Sequence, residues 1–173
     1  SWMYHLENNQ VSVGFVVNLD YKNPFLSPYE EFQRFKLHPS IKKFFENGKR
    51  ISYGARAINE GGLQSIPKLT FPGGCLVGCS AGFVNVPRIK GTHNAMKTGM
   101  LAAESAFKEI TINKENPSLI MKEYEKSWKK SSVWKDLWKV RNVKPGLKWG
   151  LFLGNFHAGI NMWFNDLGLG FLL

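Results

Sequence analysis

The sequence predicts a mixed α+β (α/β) fold, on three observations. The run Val11–Leu19 is apolar and rich in β-branched residues, which is typical of a buried strand. The segment from Thr92 to Ile110 carries small residues at helical spacing, which predicts a helix that approaches a sheet or another helix closely. A hydrophobic content of 43% and a charged content of 21% are typical of a globular protein.

Proline and glycine divide the first half of the chain into short elements. Ser27 and Pro28 predict the N-cap and first turn of a helix over residues 29–36. Further along, the expected elements are a short helix over Ser40–Glu46, a strand over Lys49–Ile58, a turn at Gly61-Gly62, and two strands over Ser65–Phe71 and Cys75–Gly78 that the turn Pro72-Gly73-Gly74 joins.

The second half is predicted to be helical after residue 92. A loop at Asn113–Pro117 follows the first helix, and Ser118 is expected to cap a second helix that ends near Lys130. Ser131 or Ser132 then caps a helix over Val133–Arg141, and Pro145-Gly146 separates these helices from an apolar tail.

Charge is distributed unevenly. The net charge is +10, but residues 122–148 alone hold nine Lys or Arg against three Asp or Glu, whereas residues 149–173 hold only Asp166. A basic segment beside an apolar one suits an anionic membrane surface better than a nucleic acid, and the chain contains no nucleic-acid-binding motif. Membrane lipids are therefore expected partners, and nucleic acid is not.

The tail 149–173 reads as an amphipathic segment. At 100° per residue, one arc of the wheel gathers large apolar side chains, namely Trp149, Phe152, Leu153, Phe156, Ile160, Trp163, Phe164 and Leu167. The uncharged run before Asp166 is short for a membrane span and contains Gly and Asn. We expect a helix or hairpin in the plane of a membrane; a buried core helix and a span are the alternatives.

The two cysteines, Cys75 and Cys79, predict neither a disulfide nor a metal site. At this spacing on a strand their Cα atoms would be about 13 Å apart, too far for a disulfide. Two thiols do not complete a zinc site either, so a reducing compartment is expected.

The stretch from Gly78 to Gly99 predicts a ligand-binding loop. A strand ends in Gly-Cys-Ser-Ala-Gly, and after a polar loop a helix opens at Thr92. Glycine allows the backbone to approach a ligand closely, and a helix N-terminus offers unpaired N–H groups to a phosphate or to the anionic edge of a reduced flavin. A capped loop without a ligand has the same spacing.

Long motifs in this region resemble one family. The segments "GARAINEGG", "FPGG" and "NVPRIKGTHNAMKTG", with "DYKNPFLSPYEEFQRFKLHPSI" before them and "SSVWKDLWKVRNVKP" after them, strongly resemble electron-transfer flavoprotein–ubiquinone oxidoreductase. The resemblance covers most of the chain and is least distinctive in residues 149–173.

The resemblance implies a membrane-bound redox enzyme. The family binds FAD in a glutathione-reductase-like domain, binds ubiquinone in a second, sheet-containing domain and carries a C-terminal 4Fe–4S cluster. It passes electrons from electron-transfer flavoprotein to ubiquinone. It is monotopic on the mitochondrial inner membrane at the matrix side, or on the bacterial inner membrane at the cytoplasmic side. By this resemblance residues 1–60 are part of the ubiquinone-binding domain, 61–148 the C-terminal part of the FAD-binding domain, and 149–173 the membrane-association segment.

The same resemblance assigns cofactor-binding residues but no catalytic or metal-binding ones. Thr92 would face the pyrimidine edge of the flavin, Gln64 would approach from the other side, and Cys79 would contact FAD through its backbone. His5 would lie near the quinone. The full set expected to contact or shape the FAD site is Gly78, Cys79, Ser80, Gly82, Asn85, Gly91, Thr92, His93 and Gln64.

Two elements of the family pattern are missing from the sequence. It has no G-x-G-x-x-G fingerprint for the FAD pyrophosphate and no cysteines for the cluster, which is expected only in a C-terminal part outside this chain. The chain therefore reads as an internal piece of a longer enzyme or as one product of a split enzyme, so that the other segments or a complementary chain would complete the FAD site. The alternative is a cofactor-less structural or assembly subunit in a membrane complex.

Overall fold

The computed structural model describes residues 1–112 and 120–170. These residues form two compact units, Ser1–Ala55 and Arg56–Leu173, each of which is described by itself. The mixed helix and strand content expected from the sequence is confirmed. The predicted loop Asn113–Pro117 and the predicted cap Ser118 lie outside the described residues.

The first unit combines a hairpin with two short helices. Strands β1 (Trp2–His5) and β2 (Val11–Gly14) pair antiparallel with Trp2 opposite Gly14. Helix α1 (Pro28–Leu37) begins as predicted, because the Ser27 hydroxyl accepts the backbone N–H of Glu30 and proline occupies the first turn. Helix α2 (Pro39–Lys42) follows directly.

Two predicted strands differ from the structure: one is shorter than expected and the other is not formed. The strand expected over Val11–Leu19 ends at Gly14, and the strand expected over Lys49–Ile58 is not formed. Residues 48–59 have no regular structure and are exposed. A strand needs a neighbouring strand to pair its backbone groups, and among the described residues no strand pairs with these.

The second unit begins with small elements. Leu63–Ser65 and Gly78–Ala81 form 3-10 turns, and β3 (Thr70–Phe71) pairs antiparallel with β4 (Gly74–Cys75). The strands predicted over Ser65–Phe71 and Cys75–Gly78 are therefore only two residues long. Pro67 cannot donate a ladder hydrogen bond, and the left-handed backbone of Gly78 ends any strand there.

Helices account for the rest of this unit. Helix α3 (Thr92–Ile112) begins at the predicted residue. Four further helices are described: α4 (Lys122–Lys130), α5 (Ser132–Lys139), α6 (Val143–Leu147) and α7 (Leu151–Asp166).

The core of the second unit joins helices α3, α4 and α5 to the 3-10 turns and to β3. Its buried residues are Leu69, Ala81, Phe83, Ala102, Tyr124, Trp128, Val133 and Leu137. The ring of Phe83 is fully buried and lies 5.2 Å, centroid to centroid, from that of Trp128. The Tyr124 hydroxyl donates to the carbonyl of Leu76 at 3.0 Å, and burial raises the pKa of this hydroxyl well above its usual range.

Helix α7 packs on α6 through small residues. A Cβ at Gly154 would lie 2.8 Å from Leu147 Cα and 2.9 Å from the Gly146 carbonyl oxygen, so the two backbones are in direct contact. Ala158 and Asn161 complete the buried side of α7.

The opposite side of α7 is apolar and exposed, and it matches most of the arc expected from the sequence. The exposed members are Trp149, which precedes the helix, Phe152, Leu153, Phe156, Ile160, Trp163 and Leu167. Phe164 is half-buried. Among residues 1–112 and 120–170, no helix is both long and apolar enough to cross a bilayer.

Candidate functional site: the loop before helix α3

The site begins with a glycine-dependent turn that lies on α3. Gly78 has φ +58° and Gly82 has φ +84°, a backbone region that favours glycine. The Gly78 N–H donates to the Thr98 hydroxyl oxygen at 3.1 Å, and a Cβ at Gly78 would lie 3.0 Å from that of Ala95. The turn Gly78–Ala81 is thus fixed against the first half of α3.

A tight loop then leads to the start of α3. Asn85 and Lys90 pair through two backbone hydrogen bonds, of 2.9 Å and 3.3 Å, and Ile89 has a left-handed φ of +52°. A Cβ at Gly91 would lie 3.2 Å from Val84 Cγ2. Because the loop closes on itself, it brings Gly91, the residue before Thr92, back beside Val84.

Asn85 anchors this loop from inside. Its side chain is fully buried; its amide nitrogen donates to Asp136 Oδ2 at 2.8 Å and its amide oxygen accepts the Arg88 N–H at 3.3 Å. Asp136 also lies 3.6 Å from Arg88 Nη1 and 3.6 Å from His93 Nε2. Sequence reasoning missed Asp136, because it follows Asn85 by 51 residues and no local spacing links them.

The predicted residues of this region divide by exposure. Ser80, Thr92 and His93 are exposed, Cys79 and Gly91 are half-buried, and Gly78, Gly82 and Asn85 are buried. The exposed members can contact a ligand with their side chains, whereas the buried ones shape the backbone that carries them. The buried amide nitrogen of Asn94, in the first turn of α3, has no hydrogen-bond partner among the described residues.

The Gln64 side chain contacts the end of α5, not the loop before α3. Its amide donates to the Arg141 carbonyl at 2.8 Å, so its side chain ties the segment before β3 to the end of α5. In the same segment Asn59 donates to the Ser80 carbonyl at 3.4 Å, and Lys144 donates to the Glu60 carbonyl. Residues 59–64 thus connect the glycine turn to the α5–α6 corner.

His5 belongs to the first unit. It lies on β1, is exposed, and its ring contacts that of Phe44 edge-on at 6.0 Å. The part of the chain that the structure describes contains no group of three metal-ligating side chains.

The two cysteines are free thiols but do not share a strand. Cys75 ends β4 and Cys79 lies in the following 3-10 turn, so the strand geometry expected for the pair is wrong. Burial raises the pKa of the Cys75 thiol. Two thiols cannot supply the four ligands of a 4Fe–4S cluster, and these residues do not fit one.

Comparisons with known proteins extend over both units. The family model described as ETF-QO, ubiquinone-binding, matches residues 1–58. Proteins named electron transfer flavoprotein-ubiquinone oxidoreductase, mitochondrial, are 58% identical over 170 residues in Mus musculus and 55% identical over 174 residues in Dictyostelium discoideum. Both matches cover 94% of this chain but only 28% and 29% of the relatives.

The match in Caenorhabditis elegans, to a protein of the same name, is 56% identical over 166 residues and covers 92% of the chain. The chain spans less than a third of the length of the relatives it matches. It is therefore a homologue of one segment of the electron transfer flavoprotein–ubiquinone oxidoreductase family.

Proposed function

We propose that this chain is part of a flavin-dependent oxidoreductase that passes electrons from electron-transfer flavoprotein through FAD to ubiquinone. The observation that carries the proposal is the 55–58% identity to oxidoreductases of that name over 94% of the chain. With so few residues unmatched, the matched region includes the loop before α3. The location we propose is the mitochondrial inner membrane, matrix side, or the corresponding face of a bacterial inner membrane; the relatives are named mitochondrial.

The residues of the loop fit one part of an FAD site. Gly78 and Gly82, both with left-handed φ, flank a turn that exposes Ser80, and α3 begins with the exposed residues Thr92 and His93. The N–H groups of this first turn and the exposed Ser80 would hold the flavin edge. Segments outside this chain would hold the pyrophosphate. Bound FAD would supply the electron transfer, and the protein groups would orient it and set its potential.

Thr92→Ala tests this assignment in the complete assembly. If the start of α3 meets the pyrimidine edge, losing the hydroxyl donor should make the flavin midpoint potential more negative by roughly 30–60 mV, because a hydrogen bond to a charged group contributes about 1.5–3 kcal/mol. Thr111→Ala, at the exposed far end of the same helix, is the matched control and should leave the potential unchanged.

The alternative of a cofactor-less assembly subunit gives the opposite result. In that case the purified assembly would bind no flavin at this chain, and Thr92→Ala would change nothing that a redox titration detects. A potential that shifts with Thr92 and not with Thr111 contradicts the alternative.

We extend the proposal to membrane lipids through α7. Its outward side presents Phe152 and Phe156, which are 88% and 70% exposed, beside the basic segment 122–148. Large apolar side chains on one side of a helix, with Lys and Arg nearby, favour binding to an anionic membrane surface.

Introducing charge on that side should abolish this binding. We expect the assembly to float with anionic liposomes and the double variant Phe152→Asp/Phe156→Asp to remain in the dense fraction. Phe107→Asp alters an equally exposed phenylalanine on α3 and is the control. Flotation of the double variant at the level of the unaltered chain would show that α7 does not mediate the contact.

A further inference from the structure

One carboxylate joins three parts of the loop before α3. Asp136 accepts a hydrogen bond from the Asn85 amide at 2.8 Å, where the loop begins. It lies 3.6 Å from the guanidinium of Arg88 at the loop's tip and 3.6 Å from the imidazole of His93 in the first turn of α3. The start, the tip and the end of the loop therefore meet at a single side chain.

These contacts differ in strength. The Asn85 amide is fully buried, and its bond to a carboxylate is charge-assisted, so it is the strongest of the three. The side chains of Arg88 and His93 are 61% and 53% exposed, and electrostatic contacts at such exposure contribute little. Their effect is to orient the tip and the first helical turn around a point that Asn85 fixes.

The position of Asp136 is fixed, because α5 packs into the core. Val133 and Leu137, which precede and follow Asp136 on α5, are both 1% exposed and belong to the core cluster. Within the loop, the Asn85–Lys90 β-bridge pairs the backbone, and Ile89 at the tip has a left-handed φ. The position of the loop relative to α3 therefore depends on contacts from outside the loop.

We propose that Asp136 is a positioning residue, which holds residues 85–93 in the conformation in which the start of α3 meets the flavin. The flavin part of this proposal rests on the proposed function. The contact between Asp136 and the loop does not, because it exists without a ligand. Removing the carboxylate should loosen the loop and, through it, the hold on FAD.

The test uses the native assembly that contains the full chain, with Asp136→Ala and Asp136→Asn. Three measurements are made: hydrogen–deuterium exchange of the peptides covering 85–93, the visible absorption spectrum of the bound flavin, and its dissociation constant. Glu104→Gln is the control, because it also removes one negative charge from this unit and Glu104 is an exposed residue of α3 whose side chain makes no hydrogen bond or ion pair with the described residues.

For Asp136→Ala we expect exchange in residues 85–93 to accelerate about tenfold and FAD to bind about tenfold more weakly, with a changed flavin spectrum. Asparagine retains an oxygen that can accept the hydrogen bond from Asn85. The variant Asp136→Asn should therefore keep most of the FAD affinity and of the exchange protection that Asp136→Ala loses. A role in overall stability alone would raise exchange throughout the unit and leave the spectrum of the retained flavin unchanged.

Two results would overturn the proposal, and they are distinguishable. If the unaltered assembly holds FAD and neither exchange in residues 85–93 nor flavin binding responds to Asp136→Ala, Asp136 does not position the loop. If the unaltered assembly holds no FAD while exchange still accelerates, the loop contact stands, and the flavin role fails together with the proposed function.

Discussion

Replacing Phe83 by alanine is expected to destabilise the unit Arg56–Leu173 by about 3–5 kcal/mol, the range found for removal of a buried aromatic ring. The ring is fully buried and packs on Trp128 between the glycine turn and the loop before α3. The cavity therefore opens directly beneath the candidate site. Urea unfolding followed by tryptophan fluorescence measures the change, since Trp128 reports on this contact.

Phe107→Ala is the matched control for this substitution. Phe107 lies on α3 and is 70% exposed, so its removal should change the free energy of unfolding by about 0.5 kcal/mol or less. Equal effects at the two positions would mean that the core is not centred on Phe83.

The second large effect is expected at the contact between α6 and α7. Gly154→Ala should destabilise the α6–α7 pair by up to about 2 kcal/mol. The new Cβ would meet the backbone of Leu147 and Gly146 at 2.8–2.9 Å, and the resulting strain of about 1–3 kcal/mol is only partly offset by the gain of about 1 kcal/mol that alanine brings to a helix interior. Thermal unfolding of the assembly measures it.

Gly159 provides a control in the same helix. It is exposed and a Cβ there would meet nothing within 4 Å, so Gly159→Ala should be neutral or stabilising by up to about 1 kcal/mol. If the two variants unfold at the same temperature, close packing of α6 on α7 is refuted.

Elements with local signals could be predicted from the sequence. Ser27 caps α1 through a side chain three residues from its partner, and α3 starts at Thr92 directly after Gly91. The apolar side of α7 follows from 3.6-residue periodicity alone. Such features depend on neighbouring residues, which the sequence shows directly.

The short strands could not be predicted in the same way. Residues 49–58 have β-branched and aromatic members, but a strand forms only when another strand pairs with it, and that depends on the whole fold. The predicted strands around Pro72 do pair with each other, but Pro67 on one side and the left-handed Gly78 on the other limit them to two residues each.

In the candidate site, too, local features could be predicted from the sequence and contacts between distant residues could not. The helix start at Thr92 follows from the local sequence, whereas a 3-10 turn at Gly78–Ala81 stands where the end of a strand was predicted. The bond from Asn85 to Asp136 joins residues 51 apart, and the bond from Gln64 to the Arg141 carbonyl joins residues 77 apart. Contacts at such separation arise only when α5 and the residues after it pack against the earlier part of the unit. They determine the role of Gln64 in the fold and identify Asp136, neither of which a local motif reveals.

The most direct test of the central claim is a spectroscopic titration of the purified native assembly that contains this chain. Reduced electron-transfer flavoprotein is added anaerobically while the visible absorbance of the bound flavin is recorded, and a soluble ubiquinone analogue follows. We expect a flavin that bleaches on addition of the donor and recovers its absorbance with the quinone. An assembly without flavin, or a bound flavin that the donor does not bleach, would contradict the claim.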